Sequence, residues 1–177
     1  MKTRLAVALA AVVSLAAAAP AGAQQLSYGL TTGMTAPRGV FRDQVSPGFS
    51  LNGVVGVSAP MLPVSFRGEV GYNGWSGKGV LRGESVSVVS MTANAVYRVP
   101  GLLVVRPYAI TGFGWHGLNS SGVVTKDREN DIGWNLGGGV NFGVRGLKAM
   151  AEARYYTVKT SAPQRLNYIP VTVGLMF

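Results

Sequence analysis

The chain closes on Asn167-Tyr-Ile-Pro-Val-Thr-Val-Gly-Leu-Met-Phe177, and this ending restricts its fold more than any other stretch. Ile169, Val171, Val173, Leu175 and Phe177 occupy alternate positions and are all apolar, whereas Tyr168, Pro170, Thr172, Gly174 and Met176 form a mixed set. Successive side chains of a strand point to opposite faces, so this segment has one greasy face and one mixed face. A tilted strand needs about 9–11 residues to cross a bilayer, and the segment has that length. A soluble sheet left with such an apolar edge strand would invite aggregation. Closing a membrane barrel solves both problems, because the edge is paired and the apolar face meets lipid.

At the other end, Lys2 and Arg4 precede the apolar run Leu5–Ala19, and Ala21-Gly22-Ala23 fits a small-residue cleavage site. Residues 1–23 are read as a secretory signal peptide and residues 24–177 as one domain, since 177 residues suffice for one. The run is short for a spanning helix, and no longer one follows, so a membrane-embedded mature chain must cross with strands. Cysteine is absent, which excludes disulfides, thiolate chemistry and a lipidated cysteine. The formal charge is +9, of which Lys2 and Arg4 contribute two. The remaining Lys and Arg are dispersed and the chain is read as exported, which argues against nucleic acid as a partner.

Period-two alternation recurs along the chain. Strands are expected near Gln25–Ala36, Pro47–Ser58, Pro63–Gly74, Ser85–Arg98, Leu103–Trp115, Asp131–Val144 and Gly146–Val158. The sixth is the clearest, with Ile132, Trp134, Leu136, Val140 and Phe142 alternating against Gly133, Asn135, Gly137, Gly139 and Asn141. In the fourth, the Ser/Val alternation changes phase, and a bulge near Val88-Val89 would reconcile its halves. With the terminal strand the expectation is an all-β, eight-stranded antiparallel up-and-down transmembrane barrel, the smallest outer-membrane size.

The connections alternate between short (Ala59–Leu62, Val99–Leu102, Arg145) and long (Pro37–Ser46, Trp75–Glu84, Gly117–Asn130, Lys159–Arg165). That asymmetry fits periplasmic turns and outer loops, with both termini on the turn side. Outward-facing aromatics group at the two ends. Phe49, Tyr72, Trp115, Trp134 and Tyr155 fall near the long loops, and Tyr28, Phe66, Tyr97, Phe142 and Phe177 near the turns. Two such girdles flank the aliphatic band of a barrel at the membrane interfaces.

Three stretches carry a family resemblance: Asn94-Ala-Val-Tyr-Arg98, Arg106-Pro-Tyr-Ala-Ile-Thr-Gly-Phe-Gly114 and Tyr168–Phe177. Through them the chain resembles the outer membrane protein β-barrel family, and within it the small OmpA/OmpX-type barrels. The resemblance covers nearly all of the mature chain. It implies a bacterial outer-membrane location in a Gram-negative cell envelope, with assembly by the barrel-assembly machinery acting on the C-terminal strand. It implies no cofactor and leaves the activity open, because one scaffold hosts many roles.

Residues able to do chemistry are few. Gly112-Phe-Gly-Trp-His-Gly117 spells G-x-G-x-x-G, but a dinucleotide site needs that turn between a strand and a helix, whereas here it lies in a strand. His116 is the single histidine, followed by Ser120 and Ser121, with Asp127, Glu129 and Asp131 nearby. A lipid-deacylating Ser/His/acid set is imaginable, yet such sites are defined by geometry, and a flexible loop would position them poorly. The expectation is a surface histidine, no metal site and no enzyme.

The inward face holds Arg67, Glu69, Arg106, Glu152 and Arg154. Isolated buried charge is very costly, so these are expected to pair into a network filling the lumen. An eight-stranded barrel is only just wide enough for its own side chains, which favours a plug over a narrow, porin-like pore lined by the same residues. A lipocalin would have an apolar inside and a polar outside, the reverse of this pattern. The long loops carry Arg38, Arg42, Lys78, Arg82, Lys126, Arg128, Lys159 and Arg165 against Asp43, Glu84, Asp127, Glu129 and Asp131. Their basic excess suggests weak contact with anionic lipopolysaccharide beside outer-membrane lipid. The expected role is structural or surface-interacting, with a small pore and a lipid-modifying enzyme as alternatives.

Overall fold

A computed structural model describes residues 25–58, 62–79, 82–100, 105–121, 129–144, 147–159 and 165–177. Residues 1–23, read from the sequence as a signal peptide, most of the short turns and Lys126, Asp127 and Arg128 lie outside these residues. Eight strands form one closed barrel in sequence order: β1 (Gln25–Arg38), β2 (Gly48–Ser58), β3 (Val64–Ser76), β4 (Ser85–Arg98), β5 (Val105–Ser121), β6 (Glu129–Val144), β7 (Leu147–Val158) and β8 (Leu166–Met176). Every neighbouring pair is antiparallel, including β8 on β1. At the seam Tyr28 and Phe177 exchange two backbone hydrogen bonds, Tyr28 N to Phe177 O at 3.0 Å and Phe177 N to Tyr28 O at 2.8 Å. Their rings stack at 6.0 Å. The last residue thus locks the first strand, and no sheet edge remains open between β1 and β8.

The greasy alternation lies on the outer wall. Leu26 is 69% exposed and Val173 58%, in company with Leu30, Leu51, Val70, Met91 and Leu136. A continuous apolar wall of this kind is untenable in water and suited to lipid. The terminal strand keeps the alternation: Val171, Val173, Leu175 and Phe177 face out, and Tyr168, Pro170, Thr172 and Met176 face in. On the wall Phe49 meets Tyr72 at 5.5 Å and Trp134 meets Tyr155 at 6.3 Å, both toward the long-loop end. Phe66, Tyr97 and Phe142 are exposed toward the turn end. Trp115 is half-buried because its indole lies over Gly117, where a Cβ would sit 2.8 Å from the ring.

Four features differ from the sequence expectation. No bulge interrupts β4, whose register runs unbroken through Asn73↔Val88 and Tyr72↔Val89 on one side and Val88↔Leu118 on the other. Val86 and Val88 simply face inward, because the lumen is apolar at the loop end. Gly117–Ser121 and Glu129–Asn130, expected in a connection, belong to β5 and β6, with pairing continued to Leu118↔Glu129. Trp75, expected in a loop, is the last but one residue of β3 and is buried at 3% exposure. Finally, the first long connection folds back into the barrel mouth through a one-turn helix, α1 (Phe41–Gln44), held by the Val45↔Gly77 bridge.

The interior is therefore layered. At the loop end, Phe41, Val45, Trp75, Val88, Tyr156, Val158, Leu166 and Tyr168 form an apolar cap. At the turn end, Val54, Val96, Tyr108, Ile110, Met150 and Met176 form a second apolar cluster. Ser, Thr, Asn, Arg and Glu occupy the middle, including Thr31, Ser50, Thr92, Asn94, Asn135 and Thr172. The polar inward residues that set this chain apart from a lipocalin are thus concentrated in this central zone.

Candidate functional site

The central layer is organised by two short patterns. On β3, Arg67 and Glu69 are two residues apart, and on β7, Glu152 and Arg154 are two apart, so each pair projects to one face. In an eight-stranded barrel these strands are on opposite walls and run in the same direction. Arg67 therefore meets Glu152, and Glu69 meets Arg154, across the lumen. Arg67 Nη1 lies 2.7 Å from Glu152 Oε2 and 3.4 Å from Glu69 Oε1. Arg154 Nη2 lies 2.5 Å from Glu69 Oε1, and Arg154 Nε contacts Glu152 Oε1. Each arginine touches both glutamates, and the quartet is electrically neutral. All four side chains have exposures between 4% and 7%.

Neighbours complete the hydrogen bonding. Tyr108 Oη donates to Glu152 Oε2 at 2.6 Å, and the Arg67 guanidinium sits 5.3 Å from the Tyr108 ring centre. Tyr108 reaches this position because Gly139 faces it; a Cβ there would lie 2.5 Å from the hydroxyl. Arg154 Nη1 donates to Tyr156 Oη at 3.1 Å. Asn135 Nδ2 donates to Asn94 Oδ1 at 2.9 Å, and Asn94 Nδ2 donates to Thr92 Oγ1 at 3.0 Å and to the Arg67 carbonyl at 3.3 Å. Beside the quartet a void of about 10 Å³, lined partly by Asn52, Asn73 and Thr172, is the size of one water. Networks of this density rigidify a low-dielectric interior because each charge is satisfied in place.

The structure brings together four of the five expected charges. Arg106, the second residue of β5, is exposed at the turn-end mouth and forms no ion pair with the quartet. At a mouth open to water it needs no partner.

His116 departs further from its expected surface position. It is in β5, faces inward and is 2% exposed. Register places Asp131 opposite it, but among the described residues neither ring nitrogen has a hydrogen-bond partner. Ser120 is in register with Val86 and Ser121 with Ser85 along β5 and β4, so both belong to the strand and not to the loop expected there. His116 instead packs edge-on against Tyr156 at 5.9 Å and begins an aromatic column. Tyr156 stacks on Tyr168 at 5.0 Å, Tyr168 meets Trp75 at 5.2 Å, and Trp75 meets Phe41 at 5.3 Å. Sequence reading missed this column because Trp75 and Phe41 fall where loops were expected. Gly112, Gly114 and Gly117 all lie within β5, so the G-x-G-x-x-G spelling forms part of a strand.

A family model described as outer membrane protein β-barrel domain matches residues 7–177. No curated protein sequence matches the chain. Among solved structures, Neisserial surface protein A aligns with a TM-score of 0.70 at 15% identity, over 86% of this chain and 97% of that one. The N-terminal barrel domain of Pseudomonas aeruginosa OprF aligns at 0.52 and 16% identity, over 87% and 99%. A major outer membrane protein of Thermus thermophilus aligns at 0.55 and 13% identity, over 87% and 98%. At these identities the likeness is one of fold.

Proposed function

The chain belongs to the outer membrane protein β-barrel family, and from that premise we propose that it is a non-conducting barrel with a structural or surface-interacting role. The observation that supports this best is the Arg67–Glu69–Glu152–Arg154 quartet, which ties opposite walls together and lies between two apolar layers. A conducting lumen needs a continuous polar path, and the aromatic cap and the Val54–Ile110–Met176 cluster interrupt one on both sides. In this reading the termini are periplasmic and the long loops face outward, as the family's connection asymmetry favours. Contact with partners then falls to the loops and the outer wall.

Planar-bilayer recording of the pure protein tests the seal; steady, large single-channel conductance would replace the plug with a pore. A tag in the β5–β6 connection tests orientation and should be reached by antibody on intact cells. Reaction only after the outer membrane is broken would invert the topology.

A further inference from the structure

We infer that the outer wall of the barrel carries a binding groove for one phosphorylated glycolipid of the outer leaflet, the lipid A part of lipopolysaccharide. The groove has a volume of about 320 Å³ and runs between the loop-end halves of β5, β6 and β7, with Arg165 at the start of β8's approach. Two cross-strand rows build it. The lower row, Phe113↔Trp134↔Thr157, places a small residue beside two aromatic ones. Thr157 is only 6% exposed although it faces outward, so it is the floor. In the upper row Ile132 is joined to Lys159 by the hydrogen bond from Lys159 N to Ile132 O at 3.3 Å.

Apolar surface thus occupies the membrane side of the groove, and two exposed cations, Lys159 and Arg165, stand at its loop-end rim. Among the described residues neither makes an ion pair with a carboxylate. Such an arrangement complements a lipid. Acyl chains lie against Phe113, Ile132 and Trp134, and a phosphate reaches an ammonium and a guanidinium that recognise it by charge and hydrogen bonding. The inference rests on the proposed outward direction of the loop end, where the abundant phosphorylated lipid is lipopolysaccharide.

The test uses the full mature barrel in phosphatidylcholine nanodiscs, titrated with lipid A and read by native mass spectrometry. Binding of one lipid A per barrel is expected, about thirtyfold weaker for Lys159→Gln/Arg165→Gln and for dephosphorylated lipid A. Thr157→Trp, which fills the floor, should also weaken binding. Lys78→Gln/Arg82→Gln removes the same charge elsewhere at the loop end and should leave it unchanged. Heat-dependent gel migration confirms that each variant is folded. Equal losses in the two double variants would mean diffuse charge attraction and overturn the groove, as would equal binding of dephosphorylated lipid A. If the groove variants alone lose binding while the tag experiment shows the loop end facing the periplasm, the site stands and the proposed orientation falls. Its natural ligand would then be an anionic phospholipid.

Discussion

Glu152→Gln is the sharpest perturbation of the central ionic layer. The Glu152 carboxylate accepts from Arg67 at 2.7 Å, from Tyr108 Oη at 2.6 Å and from Arg154 Nε. Glutamine keeps one acceptor oxygen but presents an amide to a guanidinium, leaving the layer with one uncompensated positive charge. Breaking one partner out of a buried pair costs about 3–5 kcal/mol. Glu69→Gln should cost less, about 2–3 kcal/mol, because Glu69 makes one close contact, to Arg154, and a longer one to Arg67. The decisive variant is Arg67→Gln/Glu152→Gln. It restores neutrality and keeps the Glu69–Arg154 bridge, so it should be more stable than Glu152→Gln alone. Reversible urea titration into lipid vesicles, followed by tryptophan fluorescence, measures all three. If the double variant is no more stable than Glu152→Gln alone, or Glu152→Gln costs under about 1 kcal/mol, the four residues do not act as one buried network.

Three further outcomes are expected. Val173→Arg should cost about 2–4 kcal/mol, as for a cation at mid-bilayer on an outer wall, against about 0–0.5 kcal/mol for Val40→Arg in the exposed first loop; equal costs in the same titration would remove Val173 from lipid. Tyr168→Phe deletes a buried hydroxyl that has no hydrogen-bond partner and should change stability by no more than about 1 kcal/mol, in the favourable direction, whereas Tyr168→Ala should cost about 3–5 kcal/mol by emptying the centre of the aromatic column. Phe41→Ala/Trp75→Ala opens the cap but leaves the quartet and the turn-end cluster, so bilayer recordings should still show no conductance; a stable channel would make the cap the sole barrier.

The strands were legible because lipid outside and a crowded lumen inside impose period two on nearly every residue of the wall. The quartet was legible for the same reason: Arg67/Glu69 and Glu152/Arg154 each keep one face, and a neutral pairing was the inexpensive solution. Arg106 obeys the same alternation, but its depth places it in water, and alternation carries no depth. The interior cap was hidden because its members disobey the binary rule. Val86 and Val88 are apolar residues facing the lumen, so their phase read as a bulge. Phe41 and Trp75 sit in Gly- and charge-rich surroundings that read as solvent loops. His116 looked exposed for the same reason; the β5–β6 ladder runs past the point where turn-forming residues suggested it would stop. A lumen-facing apolar residue next to a long loop was the available signal, and Val88 opposite Leu118 carried it.

The neutrality of the quartet follows from the thinness of the wall. Phe66, Val70, Ala151, Ala153 and Tyr155, the outward neighbours of the four charges, belong to the surface assigned to lipid. One layer of backbone therefore separates each guanidinium or carboxylate from hydrocarbon, and on the lumen side all four side chains are no more than 7% exposed. A net charge at that depth would be costly from both directions, so compensation has to occur within the layer itself, across the barrel from β3 to β7. The same link ties β3 to β7 across the barrel, with the apolar clusters on either side of it along the axis. Exchanging ligands through such a lumen would require breaking the ionic link and two apolar layers together. The outer wall and the loops can change their contacts without disturbing any of the three, and so recognition by this barrel is expected at its periphery.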